Sequence, residues 1–289
     1  MSSKPTGSAL VTPKWVKSRL QVSTVLDASW YMPAEKRNPY TDYEQKRIPG
    51  ARYFDIDGPG LCDTSSSLPH MLPAPEDFAA KVSELGVTND KPVVVYAQSG
   101  FVGAARAWWM FRLHGKRDSY LLDGGLKEWE NQGLPVDTSP PPAKVTAASG
   151  GTFIPQMDKD LVRNMQDMLR QIEGRKGVII DARSKGRFDG TSPEPRPGLL
   201  SGHMPSAFNL PSSVLVESGR MKSRADLQEA FQKAGVDIDA ITGPVSLTCG
   251  SGVTAAVLCV ALHELGITSA VYDGSWSEYG ATKTNPVTA

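Results

Sequence analysis

Cysteine is scarce in this chain. Cys62, Cys249 and Cys259 are the only three among 289 residues, and they are odd in number and far apart. That excludes a disulfide framework and indicates a reducing compartment, cytoplasm or mitochondrion. No Cys or His pair has zinc spacing, so no metal is expected. Excess charge of either sign is also missing: 31 basic residues balance 31 acidic ones. There is thus no electrostatic case for a nucleic-acid or membrane-surface partner. No apolar run approaches the length of a membrane span. Acidic residues are absent before Asp27, whereas Lys4, Lys14, Lys17 and Arg19 lie upstream of it. That composition has the flavour of a weak transit peptide. The segment LVTPKWVKSRL nevertheless reads as the first helix of the fold, with Thr12 as N-cap and Pro13 in the first turn, and no cleaved signal is expected.

What is present is a soluble globular composition, 40% hydrophobic and 21% charged, long enough for one large domain or two ordinary ones. The most informative segment is CGSGVT, Cys249 to Thr254. It follows the apolar run Pro244–Thr248, which reads as a buried strand, and precedes AAVLCVALHELG, which reads as a helix stopping at Gly266. Several backbone N–H groups in such a loop can face one centre, beside the positive end of a helix. Such a setting stabilises an anion and makes the sulfur a nucleophile. A lone Cys at a strand end is more often a small buried hydrophobe, but two glycines bracketing a serine serve no obvious packing purpose and do let amides approach an anion. Cys259, among Val257, Leu258, Val260 and Leu262, reads as core. Cys62 lies in a polar surface loop and reads as incidental.

The chain repeats itself. VLDAS at 25–29 matches IIDAR at 179–183; RIPGARYFDI at 47–56 matches HMPSAFNLP at 203–211; PEDFAAKVSELGV at 75–87 matches RADLQEAFQKAGV at 224–236. VVVYAQSGFVGAARAWWMFRLHG at 93–115 matches VSLTCGSGVTAAVLCVALHELG at 245–266, and SYLLDGGLKEW at 119–129 matches AVYDGSWSEY at 270–279. Short apolar strands alternate with amphipathic helices in each half, which predicts an α/β fold with parallel sheets flanked by helices. Sites in such sheets form at the carboxyl ends of strands, where CGSGVT falls. The stretch from Gly133 to Phe153 is rich in Pro, Ser, Thr and Gly and marks a linker. The expected domains are 8–148 and 149–289, with the boundary near Ser149. The N-terminal copy of the loop, AQSGFVGA, has Ala97 or Gln98 where the cysteine would stand. One half is therefore expected to be catalytic and the other to supply a wall of the cleft.

Tandem halves, a cysteine in the second loop only, and the segments RIPGARYFDID, PHMLP, WWMFR, LLDGGL, GRF…PEPR, SGHMPSAFNLP and CGSGVT together resemble the two-domain rhodanese-type sulfurtransferases, over nearly the whole chain from about Leu10 to Tyr279. The likeness is greatest to the branch that takes sulfur from 3-mercaptopyruvate. The resemblance implies tandem rhodanese domains and a persulfide on Cys249. It also implies a small-molecule donor, a thiol acceptor such as thioredoxin or glutathione, or cyanide in vitro, and no cofactor; a monomer suffices for one interdomain site. Relatives that use thiosulfate carry basic residues directly after the cysteine, whereas Gly250 and Ser251 are neutral. The matching substrate arginines are Arg187 and Arg196, in a Gly- and Pro-rich loop after the strand VIID, where guanidinium groups can grip a carboxylate through paired hydrogen bonds. Arg183 reads as structural. Gly250, Gly252, Val253 and Thr254 complete the substrate loop, Thr254 either bonding within it or capping the next helix. The resemblance also brings Asp57 and His70 to the site, with Ser251 as a proton relay and Asp57 behind it. Three alternatives stand beside this reading: a thiosulfate:cyanide sulfurtransferase, a sulfur carrier to a protein partner, and a cysteine phosphatase. Ala255 stands where phosphatase chemistry needs an arginine, which argues against the last.

Overall fold

A computed structural model describes residues 7–142 and 151–289. The boundary expected near Ser149 lies outside the described residues. Each half holds one five-stranded sheet. The first comprises β1 (Leu10–Val11), β2 (Thr24–Asp27), β3 (Arg52–Tyr53), β4 (Val93–Tyr96) and β5 (Ser119–Leu122), in the order β1-β5-β4-β2-β3. The second comprises β6 (Val162–Arg163), β7 (Val178–Asp181), β8 (Ala207–Asn209), β11 (Val245–Thr248) and β12 (Ala270–Tyr272), in the order β6-β12-β11-β7-β8. Every pairing in both sheets is parallel. The two orders are the same, so the duplication read from sequence is a duplication of topology. Central strands β4 and β11 are buried at every residue, as parallel strands covered on both faces must be; this explains why VVVY carries no alternating polar residue, while in VSLT the polar Ser246 is buried and donates to Gln171.

Helices cover the sheets: α1 (Pro13–Lys17), α2 (Pro39–Gln45), α3 (Pro75–Glu84), α4 (Val102–Leu113) and α5 (Gly125–Asn131) in the first half; α6 (Met165–Gly174), α7 (Lys185–Phe188), α8 (Arg224–Lys233), α9 (Ala255–Glu264) and α10 (Ser275–Tyr279) in the second. Thr12 caps α1 as expected, its hydroxyl accepting from the Trp15 N–H, with Pro13 at the first position. Among the described residues no helix is long and apolar enough to cross a membrane.

The halves are joined through a shared apolar core in which α4 and α9 both take part. Nearly every residue of each of these helices is buried, which is why neither reads as a one-sided amphipathic helix. Trp108 of α4 meets the His263 ring edge-on at 5.1 Å between centroids. A hairpin, β9 (Val216–Glu217) with β10 (Arg220–Met221), adds a second junction. Its Met221 N–H donates to Asp123, and Arg220 pairs with Asp123 and Glu128. The reciprocal contact crosses the other way: the Leu72 N–H donates to Asp273, which occupies the place in the second repeat that Asp123 holds in the first.

Candidate active site

The cysteine loop leaves the sheet at the carboxyl end of β11 and enters α9. Register fixes its counterpart in the first half. Asp27 pairs with Tyr96 at the end of β4 and Asp181 with Thr248 at the end of β11, so the residue facing Cys249 across the duplication is Ala97. Backbone contacts agree: the Ala97 carbonyl accepts from Leu126 N–H at the start of α5, and the Cys249 carbonyl accepts from Trp276 N–H at the start of α10. Gln98 fills the first-half position differently, its amide donating to Asp27 and to the Lys46 carbonyl.

The loop around Cys249 has a marked hydrogen-bond polarity. Four of the five carbonyls of residues 250–254, those of Gly250, Gly252, Val253 and Thr254, are taken. Gly250 O accepts from the Ser277 N–H and hydroxyl, Gly252 O from Arg106, Val253 O from Ala256 N–H and Thr254 O from Val257 N–H. Its donors are free: among the described residues, the N–H groups of residues 250–254 have no hydrogen-bond partner. A run of unpaired amides in a loop most of whose carbonyls are tied back is what an anion cradle requires, and unpaired buried amides are otherwise costly. Cys249 N–H itself donates to the Ser275 hydroxyl. Gly252 has φ +78, and a Cβ there would lie 2.7 Å from the Asp273 carbonyl and 3.1 Å from Arg106; the position requires glycine. Val253 is buried beneath the loop. Thr254 stands at the N-cap of α9 but makes no side-chain cap bond, so its contribution is positional. Cys249 is 1% exposed, an enclosure that suits a small donor.

Arg187, on the short helix α7, lies directly over this loop. A Cβ added at Gly250 would sit 3.1 Å from its Nη2. One edge of the guanidinium, Nε and Nη2, is engaged by Glu194. Glu194 is almost fully enclosed and also accepts from Arg183. Arg183 is consumed entirely by structure: it pairs with Asp181 and Glu194, donates to the Gly202 carbonyl, and stacks over Trp276 at 4.1 Å. Arg196 is half-buried in the loop between α7 and β8, and among the described residues it has no ion-pair partner.

His70 and Asp57 are brought together. The His70 Nδ1 bonds Asp57, whose other carboxylate oxygen accepts from the Trp30 indole at 2.8 Å; Trp30 and His70 meet edge-on. Burial pushes the Asp57 carboxyl up, but the His70 and Trp30 hydrogen bonds outweigh it and hold it below its ordinary value. His70 adopts φ +60, rare for a non-glycine residue, and its carbonyl is fixed by Arg106. The hydrogen bonds of Asp57 thus run to His70 and Trp30. The Ser251 hydroxyl is half-buried, and among the described residues it makes no hydrogen bond to Asp57.

Cys62 corrects the reading of a surface residue. It is buried, because the chain at Gly58–Cys62 turns back on itself, with Leu61 and Cys62 N–H both donating to the Gly58 carbonyl. Burial pushes its thiol up. Cys259 is core, as expected, with its thiol pushed up to about 11 by burial. Arg106, Asp273, Glu194 and Trp30 were not legible as site residues in the sequence. Arg106 adjoins the Trp-Trp pair of WWMFR, and Asp273 recurs with Asp123 in the repeat; these were the available signals.

A model of the rhodanese-like domain matches residues 12–132 and 164–282. The chain is 40% identical over 265 residues to 3-mercaptopyruvate sulfurtransferase of Escherichia coli, covering 91% of each. It is 38% identical to thiosulfate/3-mercaptopyruvate sulfurtransferase 1, mitochondrial, of Arabidopsis thaliana, covering 99% of this chain and 79% of that one. The crystal structure of SseA from Escherichia coli, described as showing the rhodanese fold and mechanism of 3-mercaptopyruvate sulfotransferases, superposes with a TM-score of 0.81 at 36% identity, over 94% of this chain and 100% of that one. With both halves matched and the relatives covered nearly end to end, the chain belongs to the rhodanese family as a tandem of two rhodanese-like domains.

Proposed function

We propose that the protein is a sulfurtransferase that takes sulfur from 3-mercaptopyruvate through a persulfide on Cys249 and passes it to a thiol. The observation that carries this reading is the polarity of the Cys249 loop, with four of the five carbonyls of residues 250–254 bound and the amides free, under the Arg187 guanidinium. The Cys249 thiolate attacks the donor sulfur; the S–S bond forms as the C–S bond breaks. The bonding pair leaves on carbon as the pyruvate enolate, which takes up a proton to give pyruvate. An acceptor thiolate then attacks the outer sulfur, forming a new persulfide and returning Cys249 to thiolate. This is covalent catalysis that divides one transfer into two. The amides of Gly250, Ser251, Gly252, Val253 and Thr254 stabilise the anionic sulfur. Arg187 and Arg196 hold the carboxylate and keto oxygen, Arg187 through the part of its guanidinium that Glu194 leaves open. His70, oriented by Asp57, and Ser251 serve the proton.

The same names that support a mercaptopyruvate donor include a relative named for thiosulfate as well. Neutral Gly250 and Ser251 favour mercaptopyruvate, since a doubly charged inorganic anion would want cations at the loop itself. The acceptor is proposed to be thioredoxin or glutathione, the working unit a monomer, the compartment cytoplasm or mitochondrion, and the domain division 148/149. The deciding experiment is mass spectrometry after mixing with mercaptopyruvate. The Cys249 peptide should gain one sulfur mass, lost again on adding thiol or cyanide, and kcat/KM for mercaptopyruvate should exceed that for thiosulfate. An unmodified Cys249 peptide would overturn the reading.

A further inference from the structure

Every carbonyl tie on the Cys249 loop comes from the C-terminal half except one. Gly250 O and Cys249 O are held by α10, and Val253 O and Thr254 O by the first turn of α9. Gly252 O alone is held from the other domain, by Arg106 Nη1 of α4 at 3.2 Å. The same guanidinium donates through Nη2 to the His70 carbonyl at 2.6 Å and to Asp273 at 2.8 Å. It is buried, 2% exposed, and lies over Trp109 at 4.4 Å. Asp273 in turn accepts from the Leu72 N–H at 2.7 Å with its other oxygen. One planar fork therefore fixes three things: the backbone of the His70 loop, the central glycine of the cysteine loop, and the acid at the end of β12.

We infer that Arg106 is a positioning residue for sulfur transfer: it holds the Gly252 peptide with its carbonyl turned toward α4, so that the neighbouring amides stay free for the anion at Cys249. The inference rests on the sulfur-transfer reading for its chemistry, and on the geometry alone for its structural content. A merely adhesive ion pair between domains would need only Asp273. The bond to Gly252 O adds nothing to adhesion that a lysine opposite Asp273 would not supply. A lysine presents one point donor at the end of a stem, and it cannot reach Asp273, His70 O and Gly252 O from one place as the forked guanidinium does.

The test is Arg106→Lys, which keeps the buried charge opposite Asp273. In the protein with both domains, kcat for mercaptopyruvate should fall by roughly 10- to 100-fold, the loss of one charge-assisted hydrogen bond. KM should stay within about threefold, because the donor's carboxylate is held elsewhere. Hydrogen–deuterium exchange of the peptide containing residues 249–257 should quicken at the bonded N–H groups of Cys249, Ala256 and Val257, while exchange in α1 and β1 is unchanged. Ethylguanidinium should restore part of the lost kcat in Arg106→Ala and leave the parent unaffected. A folded Arg106→Lys with parental kcat, or with KM raised and kcat unchanged, or with parental exchange at Cys249, Ala256 and Val257, overturns the inference. The exchange measurement needs no donor. If the parent protein forms no persulfide at all, the sulfur-transfer reading fails while the positioning role is still decided by exchange.

Discussion

Glu194 holds Arg187 by one guanidinium edge and Arg183 by a second bond, so a single enclosed carboxylate sets the pose of the arginine that lies over Gly250. A lone arginine in a Gly- and Pro-rich loop would sample many rotamers; this one is oriented before any donor arrives, which lowers the entropy lost on binding. Glu194→Gln keeps the volume and removes the charge. It should raise KM for mercaptopyruvate about tenfold, the scale of one charge-assisted hydrogen bond, with kcat less affected. Steady-state kinetics with the variant's urea unfolding curve check this; a KM equal to that of the parent would show that Arg187 needs no partner.

Replacing the nucleophile separates chemistry from fold. Cys249→Ser should abolish sulfur transfer and leave the thermal midpoint within a few degrees of the parent, since the residue's backbone bonds to Ser275 and Trp276 do not involve sulfur. Calorimetry and the persulfide mass assay together provide the readout. Retained turnover would move the nucleophile elsewhere.

Gly252→Ala should be costly in both respects. Positive φ and a Cβ 2.7 Å from the Asp273 carbonyl mean that backbone must shift, at about 1–3 kcal/mol. The displaced peptide would also pull its carbonyl from Arg106. We expect loss of stability in that range by urea titration, with kcat reduced more than tenfold.

His263 gives the domain junction a pH dependence. Burial, helped by the nearby Arg112 charge, lowers its pKa to about 4, against about 6.5 unfolded. Above pH 6.5 both states are neutral and the group contributes no slope. As pH falls from 6.5 toward 4, the unfolded chain takes up a proton that the folded one refuses, so stability declines; below 4 the loss is complete, on the order of 3 kcal/mol. His263→Phe keeps a ring against Trp108 and cannot titrate. Its stability should therefore decline less than the parent's between pH 6.5 and 4, measured by urea unfolding at each pH. Parallel declines would assign the acid sensitivity to other groups.

Local pattern carried much of the fold. The run of four buried residues before Cys249, the glycine stops at Gly115 and Gly266, and the recurrent Asp-Gly after β5 and β12 each mark an element within a few residues of itself, and their repetition implied two sheets of one topology. The cysteine loop was legible for the same reason. Arg106 was not. Its partners Gly252 and Asp273 are 146 and 167 residues away; the neighbouring Trp108 and Trp109 mark a buried helix, but nothing in the sequence says what the guanidinium holds. Glu194 was hidden differently: in a loop of alternating prolines, an acid reads as a solubilising residue until the fold encloses it. Cys62 misled because the polar run Asp63–Ser67 follows it, and only the turn at Gly58 tucks the thiol inside.

Arg106 stands nine residues before Gly115, as Val257 stands nine before Gly266. In the catalytic copy that place on the helix is filled by an aliphatic side chain, committed to packing. In the copy whose loop opens on Ala97 instead of a thiol, the same place holds a cation that reaches the other copy. The two copies of this helix thus divide their work: one commits the position to packing, and the other turns it into a contact on the sister domain's loop. Neither copy alone carries both the sulfur and the group that steadies the peptide beside it.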